Sequence, residues 1–222
     1  MINSIFKIFQ RPERGWDPVP KPYAHSYAFR EFKNIDKKLI SEVEEWVGGL
    51  IGKTLLDLGG GPGQYAIEFA KKGAVVCWHD ISRNYLDILR GEAAHHGVNI
   101  STSLGYMEEA TGEYDVVFNR VCWYYCVDDR QFAAKIISLV RPGGSAFLII
   151  NNNQYVARIL RSMSPIKRTV RWGLFWINEA ISIKIGHMMP SHKRILRIFR
   201  SFRFKKLLIE ERGEFTFVLL RK

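Results

Sequence analysis

An aspartate, a run of glycines and a second aspartate carry the first chemical signal in this 222-residue sequence. In the stretch Leu55-Leu56-Asp57-Leu58-Gly59-Gly60-Gly61-Pro62-Gly63-Gln64-Tyr65, Gly59, Gly61 and Gly63 alternate after an apolar run that contains Asp57, and Asp80 stands 17 residues beyond Gly63. Glycines so placed let the backbone turn tightly and approach a ligand closely. Their pattern is G-x-G-x-G with Gln64 in the sixth place, so it departs from the dinucleotide fingerprint. No Gly-Lys-Ser/Thr follows, which excludes a phosphate loop. Asp57 repels a pyrophosphate and welcomes a cation. Asp80, at the end of the next apolar run, suits the hydroxyls of a ribose. A ribose with a cationic end and no phosphate fits S-adenosylmethionine better than a nicotinamide dinucleotide.

The elements that must hold these residues follow from periodicity. Residues 30–47 read as one amphipathic helix stopped by Gly48-Gly49. Then 53–59 reads as a short buried strand, Gln64–Lys72 as a helix ended by Gly73, and 74–80 as a second strand. Ser82 caps a helix to about His96, 98–104 is a weaker strand, 113–120 a fourth, and Asp128–Val140 a helix. Arg-Pro-Gly-Gly leads into a strand at 145–151. Strands separated by helices of this length predict right-handed βαβ units and a mostly parallel, doubly wound sheet of Rossmann-like α/β class. Residues 152–187 break the rhythm with an aromatic, basic insert, and 191–201 read as another basic helix. Residues 204–211 and 214–222, around Arg212-Gly213, predict a closing antiparallel hairpin. Residues 1–29 read as an N-terminal arm, with helical spacing in the first ten, and 30–222 as the domain proper.

The order of these motifs resembles the class I S-adenosylmethionine-dependent methyltransferases. "LLDLGGGPGQYAIEFAKKGAVVCWHDIS" looks like their first two motifs, and "EYDVVFNRVCWYYCVDDRQFAAKIISLVRPGGSAFLII" like the later ones. "GHMMPSHKRILRIF" is similar to the segment such enzymes often carry before the last helix. The resemblance implies that Gly59, Gly61 and Gly63 underlie the cofactor's methionine and ribose, that Asp57 lies near its amino group, that Asp80 binds the ribose hydroxyls and that Ile81 packs on the adenine. Tyr106 and Met107 fall where the adenine edge is met; Tyr106 stands where the family often has an acid. Arg120 and Val121 face the methionine part.

Methyl transfer from a sulfonium is a direct displacement, so the protein aligns donor and acceptor and excludes water. An alcohol acceptor also needs a base. His187 is the first candidate, serving either as that base or as a structural hydrogen-bonding group; Tyr27, Tyr124 and His25 are the others. Trp123, Tyr124 and Tyr125 either wall the acceptor pocket or pack in the core. Cys122 and Cys126 read as small buried hydrophobes, sharing a helix face if a helix starts at Cys122. His95 and His96 suit the end of a surface helix. The insert 152–187 is the specificity element, as a cap whose aromatics cover the pocket or as an interfacial amphipathic segment.

Charge divides the chain. Residues 1–150 carry 17 Lys and Arg against 18 Asp and Glu, a net of −1, whereas residues 151–222 carry 16 against 4, a net of +12. The basic third suggests an anionic partner or a solubilising surface. Three cysteines without zinc spacing point to reduced thiols and a cytoplasmic setting, with peripheral contact to the inner face of a membrane as one extension. No apolar run reaches bilayer-spanning length. A small-molecule or sugar- or lipid-linked acceptor, methylated at oxygen, is the leading expectation. An RNA or protein methyltransferase docking through the basic third, and a non-catalytic cofactor-binding or membrane-associated protein, are the alternatives. Nucleic acid is less favoured because no RRM, KH or zinc-finger signature is present.

Overall fold

Alternating apolar strands and amphipathic helices fold into one seven-stranded sheet clothed by helices. The computed structural model describes residues 15, 17–181 and 189–222. Helices α1 (Lys21–Lys33) and α2 (Lys37–Val47) precede β1 (Thr54–Leu58). Then come α3 (Gln64–Lys71), β2 (Val75–Asp80), α4 (Arg83–His95), β3 (Ile100–Leu104) and β4 (Tyr114–Arg120). After α5 (Asp129–Leu139) and β5 (Val140–Asn151) follow three helices, α6 (Asn153–Arg161), α7 (Pro165–Ile181) and α8 (His192–Arg200). The hairpin β6 (Lys206–Arg212) and β7 (Phe215–Arg221) closes the chain.

The strand order is β3-β2-β1-β4-β5-β7-β6. The first five strands run parallel, and β7 and β6 add antiparallel. Strand order reverses between β1 and β4, so the crevice outside their carboxyl ends is where a ligand binds in such a sheet. Consecutive residues of each strand face opposite layers. Leu55, Phe118 and Phe147 join Phe69 and Trp78 on one face, while Leu56, Val117 and Leu148 join Phe132 and Phe199 on the other. A sheet buried on both faces explains why its strands read as unbroken apolar runs rather than alternating ones.

Local signals set the boundaries. Ser82 caps α4 by accepting from Tyr85 N–H, and Asp128 caps α5 by accepting from Gln131 N–H at 2.7 Å. The single helix expected over 30–47 is two helices. Asp36 accepts from Leu39 N–H at 3.0 Å and starts α2 afresh, while α1 begins directly after Pro20, inside the stretch read as an arm. The strand expected at 145–151 is longer: Val140 already pairs with Tyr114, and a bulge carries the pairing on to Ser145–Val116. The helical spacing read in the first ten residues lies outside the described residues. Among the described residues, no helix is long and apolar enough to cross a membrane.

Candidate functional site

Strand β1 delivers Asp57 and the glycine turn, and β2 delivers Asp80 beside it. Gly59, Gly61 and Gly63 have φ of 72°, 54° and 89°, in the left-handed region that favours glycine. A Cβ on Gly60 would come 2.3 Å from Trp78 Cδ1, and one on Gly59 would come 2.5 Å from Cys122 Sγ. A Cβ on Gly61 would meet nothing within 4 Å. The turn is therefore packed hard from below and open above Gly61. Trp78 Nε1–H fixes it by donating to the Gly61 carbonyl at 3.0 Å, and Gly59 N–H donates to the His79 carbonyl at 2.7 Å.

Asp57 is buried, and its Oδ2 has no hydrogen-bond partner. Burial, with the Asp80 charge second, pushes its carboxyl up to about 7. Such an orphaned buried acid calls for a partner. Asp80 accepts from Gly61 N–H at 2.9 Å and Ser82 N–H at 3.0 Å. Burial raises its pKa and these N–H bonds lower it. Each Asp80 oxygen keeps a lone pair for a hydroxyl. A molecule with a positively charged end and adjacent hydroxyls thus fits the pair, because a nearby cation favours the ionised form of Asp57. Those are features of S-adenosylmethionine.

The other expected contacts gather at the same edge. Ile81 and Tyr106 are half-buried. His79 is held through Nδ1 by Ser103 Oγ at 2.7 Å, and its Nε2 meets the Tyr106 carbonyl at 3.0 Å, which fixes the turn carrying Tyr106 and Met107. Met107 Sδ would lie 3.1 Å from a Cβ on Gly59, so it borders the glycine turn directly. Val121, next to Arg120, has φ of 59°, the one positive φ of a non-glycine among the described residues. Strain of that kind is typical of functional loops.

Helix α1 lies across this edge as a strap. Glu31 accepts from Gln64 Nε2 at 3.2 Å and pairs with Arg120 at 3.4 Å, while the Arg120 guanidinium sits 5.1 Å from the Tyr65 ring centroid. The chain just before α1 is pinned as well: Asp17 accepts from Ser82 Oγ at 2.9 Å and Asn84 N–H at 3.0 Å. Tyr27 on α1 lies 6.0 Å from Tyr85 and 5.9 Å from Tyr23, and Tyr124 lies 4.1 Å from Tyr125. Burial, followed by the Glu31 charge, pushes the Tyr27 phenol up to about 12. Burial and then Tyr125 push the Tyr124 phenol well above its ordinary value. Burial of this kind disfavours the phenolate form of either candidate base. His25 is exposed on α1. His187 lies outside the described residues.

The aromatic triplet splits its roles. Trp123 is fully buried and donates from Nε1 to Asp129 Oδ1 at 2.8 Å, whereas Tyr125 is about half exposed. Asp129 in turn pairs with the buried Arg194 of α8 at 2.9 Å, and Arg194 Nη1 donates to the Asn178 carbonyl of α7. This network ties α7 and α8 to the loop carrying Tyr124 and Tyr125. Cys122 and Cys126 flank a single 3₁₀ turn and are both buried, and Cys122 Sγ meets Asn119 Nδ2 at 2.9 Å. His95 and His96 are exposed at the end of α4.

Sequence reasoning passed over Glu31, Trp78 and Asn151. Glu31 is the one acid in α1, a readable signal; Trp78 was hidden in an apolar strand. Asn151, at the carboxyl end of β5, is buried with both side-chain polar atoms unpartnered, an uncommon state for an amide. Its place shows up only once strand register is known. A groove of about 390 Å³ lined by Lys193, Leu196, Arg197, Arg200 and Ser201 lies away from this edge, on the outer side of α8.

Known proteins match the same framework. A family profile described as methyltransferase domain matches residues 55–144, from β1 through the turn inside β5. A ubiquinone biosynthesis O-methyltransferase of Erwinia tasmaniensis is 29% identical over 209 residues, covering 86% of this chain and 83% of the relative. The enzyme of that name from Shewanella pealeana is 30% identical over 165 residues, covering 71% and 67%. Among solved structures, magnesium protoporphyrin IX methyltransferase from Synechocystis, with bound S-adenosylhomocysteine, superposes with a TM-score of 0.63 at 13% identity over 99% of both chains. A proposed S-adenosylmethionine-dependent methyltransferase of Methanococcus maripaludis gives 0.65 at 17%, covering 91% and 93%. At these identities the superpositions establish the fold.

Proposed function

The chain belongs to the class I S-adenosylmethionine-dependent methyltransferases, and from that premise we propose that it methylates a hydroxyl oxygen of a small acceptor molecule. The observation that carries the oxygen is the match over most of its length to O-methyltransferases of ubiquinone biosynthesis. The tyrosines at the carboxyl edge support a planar, hydroxylated acceptor, since aromatic faces offer stacking surfaces to a flat ring.

S-adenosylmethionine supplies a methyl group on an already activated sulfonium. The chain's own residues bind, orient and shield. Asp57 and Asp80 would hold the charged end and the ribose hydroxyls, and the bare backbone of Gly61 lets the ligand lie close. Helix α1, locked by Glu31 onto Gln64 and Arg120, keeps water off this edge. The protonated phenol of Tyr27 orients an acceptor oxygen by donating to it, while Tyr124, hydrogen-bonded to Tyr125, helps to wall the acceptor side. His187 is proposed as the base that takes the hydroxyl proton. The free thiols of Cys77, Cys122 and Cys126 support a reducing, cytoplasmic setting.

Incubation of the purified chain with methyl-labelled cofactor and a panel of catechols, simple phenols, sugars, RNA and protein extract tests the reading. Label on a phenolic oxygen is expected, with transfer falling on His187→Ala while cofactor affinity holds. Label on RNA or protein alone, or cofactor binding without transfer to any acceptor, overturns it.

A further inference from the structure

Helix α7 has two apolar faces, and one of them faces outward. Inward, Phe175 and Asn178 are buried, and Glu179 accepts from the Ser191 N–H at 3.0 Å, which anchors the helix to the start of α8. Outward, Ile166, Val170, Leu174 and Ile177 recur at helical spacing with 79%, 58%, 37% and 47% of their surface exposed. Trp176, 64% exposed, stands beside them and stacks on Trp172 at 6.5 Å. These five are nearly half of the eleven exposed large apolar side chains among the described residues, gathered on one helix. The outward face of a helix in a water-soluble domain is ordinarily polar. A concentrated apolar stripe marks an interaction site.

Charge identifies the occupant. Helix α7 carries Lys167, Arg168 and Arg171, its one acid, Glu179, is held on the inner side by Ser191, and on α6 Arg158 is paired with Glu214. Lys167 and Arg171 are exposed and, at i and i+4, line one flank of the stripe. Their stems can lie along apolar surface while their charged ends reach outward. A second copy of the same face would set cations against cations with no acid between them, which disfavours a symmetric dimer here. A nucleic-acid backbone would use the cations and leave the aliphatic stripe in water. An anionic lipid surface satisfies both features, the aliphatic row entering the acyl boundary and the cations meeting headgroups.

We propose that the outer face of α7 docks this protein, lying flat, on an anionic lipid bilayer. The docking stands independently of the methyl acceptor. One consequence rests on the oxygen-methylation reading: through Asn178, Arg194, Asp129 and Trp123, the docked helix is tied to the loop carrying Tyr124 and Tyr125, so the acceptor edge would be held close to molecules dissolved in the bilayer.

Co-sedimentation of the full chain with vesicles of phosphatidylcholine, alone or mixed with phosphatidylglycerol, tests the docking without any methyl acceptor. Binding to the mixed vesicles, lost at high salt and absent on phosphatidylcholine, is expected. The triple variant Ile166→Ser, Val170→Ser, Ile177→Ser should weaken it at least about tenfold even at low salt. Lys167→Glu with Arg171→Glu should erase the preference for phosphatidylglycerol, and Lys37→Glu with Lys38→Glu on α2 should change little. Calorimetric affinity for S-adenosylmethionine should be unchanged in all of them, which separates lost docking from lost fold. Failure of the parent chain to prefer anionic vesicles overturns the proposal. So does a dimer in light scattering, or an RNA gel shift, that the triple serine variant abolishes.

Discussion

The cofactor edge formed by β1, β2 and α1 and the helical segment of α6, α7 and α8 are built on opposite plans. The first sits in the first two-thirds of the chain, with a net charge of −1, buries Asp57, bonds Asp80 to backbone N–H groups and packs its glycine turn against Trp78, Cys122 and Leu89. The second lies in a third with a net charge of +12, leaves large apolar groups exposed on α7, and is joined inward by Ile195 and Phe199 and by the buried Asp129–Arg194 pair. The donor edge is thus set by a packed turn and two acids inside the fold, whereas the proposed docking face is set by side chains on an added surface.

The largest effect should come from breaking the link between the two regions. Asp129→Ala leaves the Arg194 charge buried without its partner and should cost about 3–5 kcal/mol of stability in denaturant unfolding. Replacing Asp129 and Arg194 together by apolar residues should cost clearly less, since no lone charge remains. Equal losses from both variants would mean that the pair holds the fold by packing and not by charge.

Next in size is the cofactor edge itself. Asp80→Ala removes charge-assisted hydrogen bonds and should weaken S-adenosylmethionine binding about 10- to 100-fold by calorimetry. Asp57 sets the pH dependence. Its folded carboxyl titrates near 7 against a reference of 3.8, so between those values the native state holds a proton that the unfolded chain has lost. Stability from this group therefore falls as pH rises through that window, and Asp57→Asn should flatten the slope. A cation beside Asp57 favours its ionised form. Cofactor binding below about pH 7 should thus release a proton and weaken on acidification, as calorimetry in buffers of different ionisation heat will show.

Two smaller effects sharpen the comparison. Asn151→Leu removes a buried amide that has no partner in the fold, so thermal stability should hold or rise slightly. If the amide meets the acceptor, KM for it should rise while cofactor affinity stays constant; an unchanged KM assigns Asn151 no role. Glu31→Gln breaks a partly exposed ion pair, for which about 1 kcal/mol is an upper bound. Cofactor release in stopped-flow should quicken about two- to fivefold, and a larger change would mean that α1 is a stronger clamp than this pair explains.

Much of the cofactor edge was readable because its signals are local. Asp57, the alternating glycines and Asp80 are placed by one strand, one turn and the next strand, so a short window of sequence contains the whole argument. The break between α1 and α2 was missed because the apolar spacing runs through it unchanged, and Asp36 as a cap competes with Asp36 as a surface residue. Glu31, Trp78 and Asn151 were missed for another reason. Each acts on a partner, or lacks one, across the sheet.

Periodicity, turn chemistry and charge are properties of neighbouring residues, and they already specify the α/β alternation, the parallel sheet, the glycine turn and the basic character of the last third. Tertiary structure alone decided that α1 folds over the glycine turn, that Trp123 belongs to the core while Tyr125 faces outward, and that α7 keeps an apolar face on each side. Burial and the meeting of distant charges depend on how elements pack, and a helix shows the same pattern of residues whichever of its faces the core claims.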